Sequence, residues 1–164
     1  MSHWRTPTIV DICAAIRQEG SYDMLPILSD ALQESGFDDE QVIAKLRSPL
    51  NTIDAQRLLA ILYSDETAEA VRKIEEMAEE LGDSHGDDYY RSQMMDYRFL
   101  MEVAETYLAT FSVSVYGGDG DRFVQQGSER WRDEFNAAKF WPLYEKVTGV
   151  TPPEQAGGIF CCTC

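Results

Sequence analysis

Two groups of side chains in this sequence have the types and spacing that chemistry needs. Cys161, Cys162 and Cys164 set three thiols within the last four positions, just after Gly157 and Gly158. Thiolates are soft donors suited to Zn²⁺ or Cu⁺, but three so close together do not enclose a tetrahedral ion. A fourth ligand from the body of the chain or from a second copy is then required. The same thiols are also able to join chains through disulfides. The second group is carboxylic. Glu75, Glu76 and Glu79 are followed by Glu102 and Glu105, spacings that put side chains on common faces of two helices. Two such helices packed antiparallel would hold Mg²⁺ and the phosphates of a nucleotide. The simpler reading of these glutamates is a solvated face paired with Arg72 and Lys73.

The carboxylate pattern resembles the glutamate-glutamate-x-x-glutamate and glutamate-x-x-aspartate motifs of the all-α nucleoside-triphosphate pyrophosphohydrolases. The resemblance covers roughly Glu75 to Glu105. It implies an Mg²⁺-dependent nucleotide hydrolase with Glu76, Glu79, Glu102 and Glu105 as metal ligands. This chain has Glu105 where that family has aspartate, and no lysine or arginine cluster follows the second motif. Other motifs fail on context. Gly82-Asp83-Ser84-His85-Gly86 is similar to a signature of calcineurin-like metallophosphoesterases, but it follows a charged helical pattern instead of a buried strand, and the only other histidine is His3. Asp119-Gly120-Asp121 opens like a calcium loop. Phe123, Val124 and Arg130 then occupy positions where an EF-hand needs a ligand, a glycine and a glutamate. The terminal cysteine-x-cysteine is similar to the geranylgeranylated ends of Rab GTPases, which nothing else here matches. No phosphate-cradling glycine loop or nucleophile elbow occurs.

The elements that must position these groups read as helices. Thr6-Pro7 is an N-cap followed by proline at the first helical position; Ile9, Val10, Ile12, Cys13 and Ile16 form one stripe that ends before Gly20. Asp23 is the expected cap of a second helix, with Pro26 in its first turn and Leu25, Leu28, Ala31 and Leu32 on one face up to Gly36. Asp38 and Gln41 make a capping-box-like start for a third, closed by Pro49. Asn51 to Tyr63 gives a fourth, and Asp65 to Leu81 a fifth, with Gly82 as the expected stop. After a polar turn, Tyr90, Met94, Tyr97, Met101, Ala104, Leu108 and Phe111 trace a long central helix. Thr110 to Tyr116 alternates apolar and polar residues, which reads either as a short strand or as the fraying end of that helix. The aromatic stretch from Phe123 to Tyr144 reads as two helices broken near Asn136 or Pro142, its aromatics serving as core.

The stretch from Ser21 to Tyr63, with Met24-Leu25-Pro26-Ile27-Leu28-Ser29-Asp30-Ala31-Leu32 and then Leu46-Arg47-Ser48-Pro49, resembles a short helical module of bacterial proteins of unknown function. The resemblance implies a helical fold of bacterial or phage origin and carries no catalytic residue. The module's tryptophan-containing continuation is absent, since Gln56-Arg57-Leu58-Leu59 stands there.

The expected class is therefore mostly α: a single-domain bundle of five to eight helices with room for one short strand. A helical domain spans 1–148, comprising an N-terminal module at 1–64 and acidic and aromatic helices at 65–148. A flexible cysteine-terminated tail occupies 149–164. Ile12, Leu28, Leu59, Met101 and Trp131 are expected in or beside one core. The chain of 164 residues is long enough to bury such a core unaided. Its 29 acidic and 14 basic residues leave a net charge of −15, and −9 of that falls between Asp65 and Glu105. Scattered basic residues exclude direct nucleic-acid binding, because displacing counterions from phosphates needs clustered lysine and arginine. No apolar run has signal-peptide or membrane-span length, so a cytoplasmic protein without membrane contact is expected. Such a charge block attracts basic surfaces or divalent cations. The expected function is protein binding, with a partner of basic surface or a second copy of the chain. Zn²⁺ or Cu⁺ at the tail is a further expectation, and the alternative is the Mg²⁺-dependent hydrolase.

Overall fold

The computed structural model describes residues 3–84, 97–114 and 137–152. These residues are mostly helical, with seven α helices among them. The first, α1 (Pro7–Glu19), begins where the sequence places it: Thr6 is extended, and its Oγ1 accepts from the Ile9 amide. It ends at Gly20, whose φ of 66° is the left-handed conformation that a side chain would disfavour.

Helix α2 (Leu25–Glu34) departs from expectation at its start. Tyr22–Met24 forms a 3-10 turn that runs straight into α2, with the Met24 amide already bonded to the Ser21 carbonyl. Asp23 therefore lies inside helical backbone and is not a cap, because a cap must be non-helical to aim its oxygen at free amides. At the other end, the Phe37 amide bonds the Leu32 carbonyl and the Gly36 amide bonds that of Gln33. This is the Schellman arrangement, and it folds the Phe37 ring back onto the core below.

In α3 (Glu40–Arg47) the cap is Asp39, not Asp38. Its Oδ1 accepts from the amides of Gln41 and Val42 at 3.0 and 3.1 Å. Ser48 then turns extended, as the residue before Pro49 must. Asn51 caps α4 (Thr52–Tyr63) through the Asp54 amide at 2.9 Å.

Helix α5 (Asp65–Ser84) continues through Gly82. One helical glycine costs only about 1 kcal/mol, which is not by itself enough to end a helix. Helix α6 (Tyr97–Ser114) keeps Phe111 to Ser114 helical, so the strand reading fails there. Val115 and Tyr116 lie outside the described residues, as do the expected turn from His85, the expected helical positions Tyr90 and Met94, Trp131, Asn136 and the cysteines of the tail. Helix α7 (Ala137–Thr148) runs unbroken through Pro142. Ala138, whose carbonyl loses its helical donor to the proline, is exposed, and so is Pro142. Gly149 ends α7 with a φ of 74°.

The chain falls into two compact units, one of Met1–Val71 with Lys146–Gly149 and one of Arg72–Glu145 with the residues from Val150 on. In the first unit α1 packs on α2 and α4, and α2 on α3. Its core joins Ile9, Cys13 and Ile16 to Leu25, Leu28 and Leu32, then to Ile43, Leu46, Leu58, Leu59 and Leu62. Ile12 packs against that cluster. In the second unit, Ile74, Met77 and Ala78 of α5 are buried, and so are Tyr97, Leu100, Met101 and Ala104 of α6. Phe140, Trp141 and Tyr144 of α7 are buried too, meeting one another edge-on or tilted with centroids 5.4–6.0 Å apart.

Candidate functional site

The acidic surface begins at the joint between α4 and α5. Ser64 is extended, and it exchanges hydrogen bonds with Thr67: the Ser64 amide donates to Thr67 Oγ1 at 3.2 Å and the Thr67 amide to Ser64 Oγ at 3.1 Å. This reciprocal cap satisfies two otherwise orphaned amides. The buried Thr67 hydroxyl also bonds the Ala60 carbonyl, which locks α5 to α4. Asp65 and Glu66 open α5, where the positive end of the helix dipole favours anions.

Both of these carboxylates meet a cation. Arg5 pairs with Asp65 and donates from Nε to the Leu62 carbonyl at 3.0 Å and from Nη2 to that of Ile61 at 3.2 Å. Lys146 Nζ lies 2.5 Å from Glu66 Oε1. The Arg5 hydrogen bond and charge hold the Asp65 carboxyl below the usual carboxylate range, and Lys146 does the same for Glu66.

A second arginine works in parallel. Arg17 donates to the carbonyls of Lys146 and Val147, the last turn of α7, and its guanidinium lies 4.7 Å from the centre of the Tyr63 ring. Burial lowers its pKa from the ordinary arginine value. Arg5, Arg17 and Lys146 were not singled out in the sequence. Arg5 reaches partners 56 to 60 residues away and Arg17 partners about twice as far, so no local spacing announces them.

Farther along α5 the surroundings change. Thr67, Ala70, Val71, Ile74, Met77 and Ala78 form the buried stripe, and the other face carries exposed Glu69, Arg72, Lys73, Glu76, Glu79 and Glu80. Arg72 pairs with Glu76 one turn on. Glu79 and Glu80 make no ion pair among the described residues, and no basic residue stands in the last turn of α5 to answer the helix's carbonyl end. On α6, Arg98 Nη2 lies 3.7 Å from the exposed Glu102, and Glu105 is half-buried. Burial, and then the charge of Glu102, push the Glu105 carboxyl above its ordinary range.

Glu76 and Glu102 are thus each engaged by an arginine on their own helix, while Glu79 faces solvent. Among the described residues no three histidine, cysteine or acidic side chains gather so as to hold a metal ion, these four glutamates included. Cys161, Cys162 and Cys164 lie outside the described residues, as do His85 and the loop at Asp119 to Asp121. The remaining thiol, Cys13, is fully buried, and burial pushes its pKa up to about 12, so it stays protonated as part of the core. Among the described residues no helix is long and apolar enough to cross a membrane. No protein-family model matches this sequence, and no curated protein or solved structure matches it.

Proposed function

We propose that this chain is an acidic cytoplasmic binding protein whose contact surface is the outward face of α5 from Glu76 to Glu80, and that its partner is a protein with a basic surface. The observation that carries this reading is the placement of charge. The acids that open α5 are matched by Arg5 and Lys146, whereas Glu79 and Glu80 have no cation among the described residues. They stand on a helix whose other face is buried. A row of anions held at fixed spacing steers a cationic partner and repels phosphates, which separates this reading from nucleic-acid binding.

The test uses poly-L-lysine and a lysine-rich histone as probes, with affinity measured at low and high ionic strength. Binding should be strong at low salt and fall steeply as salt rises. Glu76→Lys, Glu79→Lys and Glu80→Lys together should remove it. The reversal of Asp11, Asp23 and Glu34, which changes net charge equally on the first unit, should weaken it far less. Equal losses in the two variants would show that net charge alone attracts the probe, and the assignment to α5 would be wrong.

A further inference from the structure

We draw no further inference here: the strongest candidate, the exposed Ile27 on α2 with half-buried Met24 and Ala31 at helical spacing beside it, is an apolar patch and nothing in the structure shows what covers it.

Discussion

At the start of α5, Asp65 and Glu66 sit where the helix dipole welcomes anions, beside a reciprocal Ser64–Thr67 cap and facing Arg5 and Lys146. Toward its far end, Glu76 pairs with Arg72, whereas Glu79 and Glu80 are exposed and make no ion pair among the described residues, and no base stands in the final turn. The first group is explained by the fold, since each charge there relieves an unpaired backbone or an opposite charge. Glu79 and Glu80 relieve no opposite charge among the described residues, and Glu80 adds like charge one turn from Glu76, which opposes helix stability. Acid kept where folding gains nothing from it is the physical ground for assigning that face to binding.

The anchored end of α5 should lose most when the packing beneath it is removed. Leu62 is buried in the last turn of α4, the turn whose carbonyl Arg5 holds. Leu62→Ala should cost about 2–5 kcal/mol, read as a lower denaturant midpoint at unchanged slope. A loss under about 1 kcal/mol would mean that the joint is not packed as described. Thr67→Val comes next. It keeps shape but strands the Ala60 carbonyl and the Ser64 amide, so the expected loss is about 1–3 kcal/mol in the same titration. A neutral outcome would remove the cap from the account of why this end is fixed.

The difference between the two ends was only partly legible in the sequence. Helix α1 read correctly because Thr6-Pro7 and Gly20 are local signals whose partners lie within a few residues. The same reasoning placed caps at Asp23 and Asp38. It failed because the deciding quantity is backbone conformation at neighbouring positions: Met24 already helical, Asp39 extended. Gly82 reads as a stop and the aromatic stretch as broken near Asn136 or Pro142; α5 runs through Gly82 and α7 through Pro142, and Asn136 lies outside the described residues. A helical glycine costs only about 1 kcal/mol, and the larger cost of about 3 kcal/mol at Pro142 falls on a helix whose Phe140, Trp141, Tyr144 and Val147 are buried. Glu76, Glu79, Glu102 and Glu105 were legible as helix-face residues, but their convergence was not, because spacing within one helix says nothing about where a second one points. The anchors Arg5, Arg17 and Lys146 act across long sequence separations and had no signature at all.

Acid titration should set the anchored start of α5 apart from Glu105 on α6, because their carboxylates shift in opposite directions. Asp65 and Glu66 have folded pKa values below their unfolded ones. They therefore contribute stability that is present above the unfolded pKa and is lost as pH falls through the folded value. Glu105 has its folded pKa raised. It destabilises the fold above that value, and the penalty disappears as pH falls through it toward the unfolded pKa. Melting temperature against pH should then show Asp65→Asn with Glu66→Gln less stable than the parent at neutral pH, and Glu105→Gln more stable. Both differences should vanish in acid. Shifts of the same sign in the two variants would contradict the assignment of causes.

Neutralising the exposed acids near the far end of α5 should barely alter stability and should act on binding. Glu79 and Glu80 are exposed, adjacent and unpaired among the described residues, so Glu79→Gln with Glu80→Gln removes like-charge repulsion and little else. Glutamine is a nearly equal helix former, so the fold should be unchanged or gain a few tenths of a kcal/mol. Affinity for the lysine-rich probe should nevertheless drop, and its salt dependence should become shallower, because fewer anions remain to meet the cationic surface. Stability and binding would thereby move independently at this end of α5. At the other end, substitutions at Thr67 and Leu62 act on stability first. If the double glutamine variant instead melted well below the parent, Glu79 and Glu80 would be serving the fold, and the contrast on which the proposed contact surface rests would be gone.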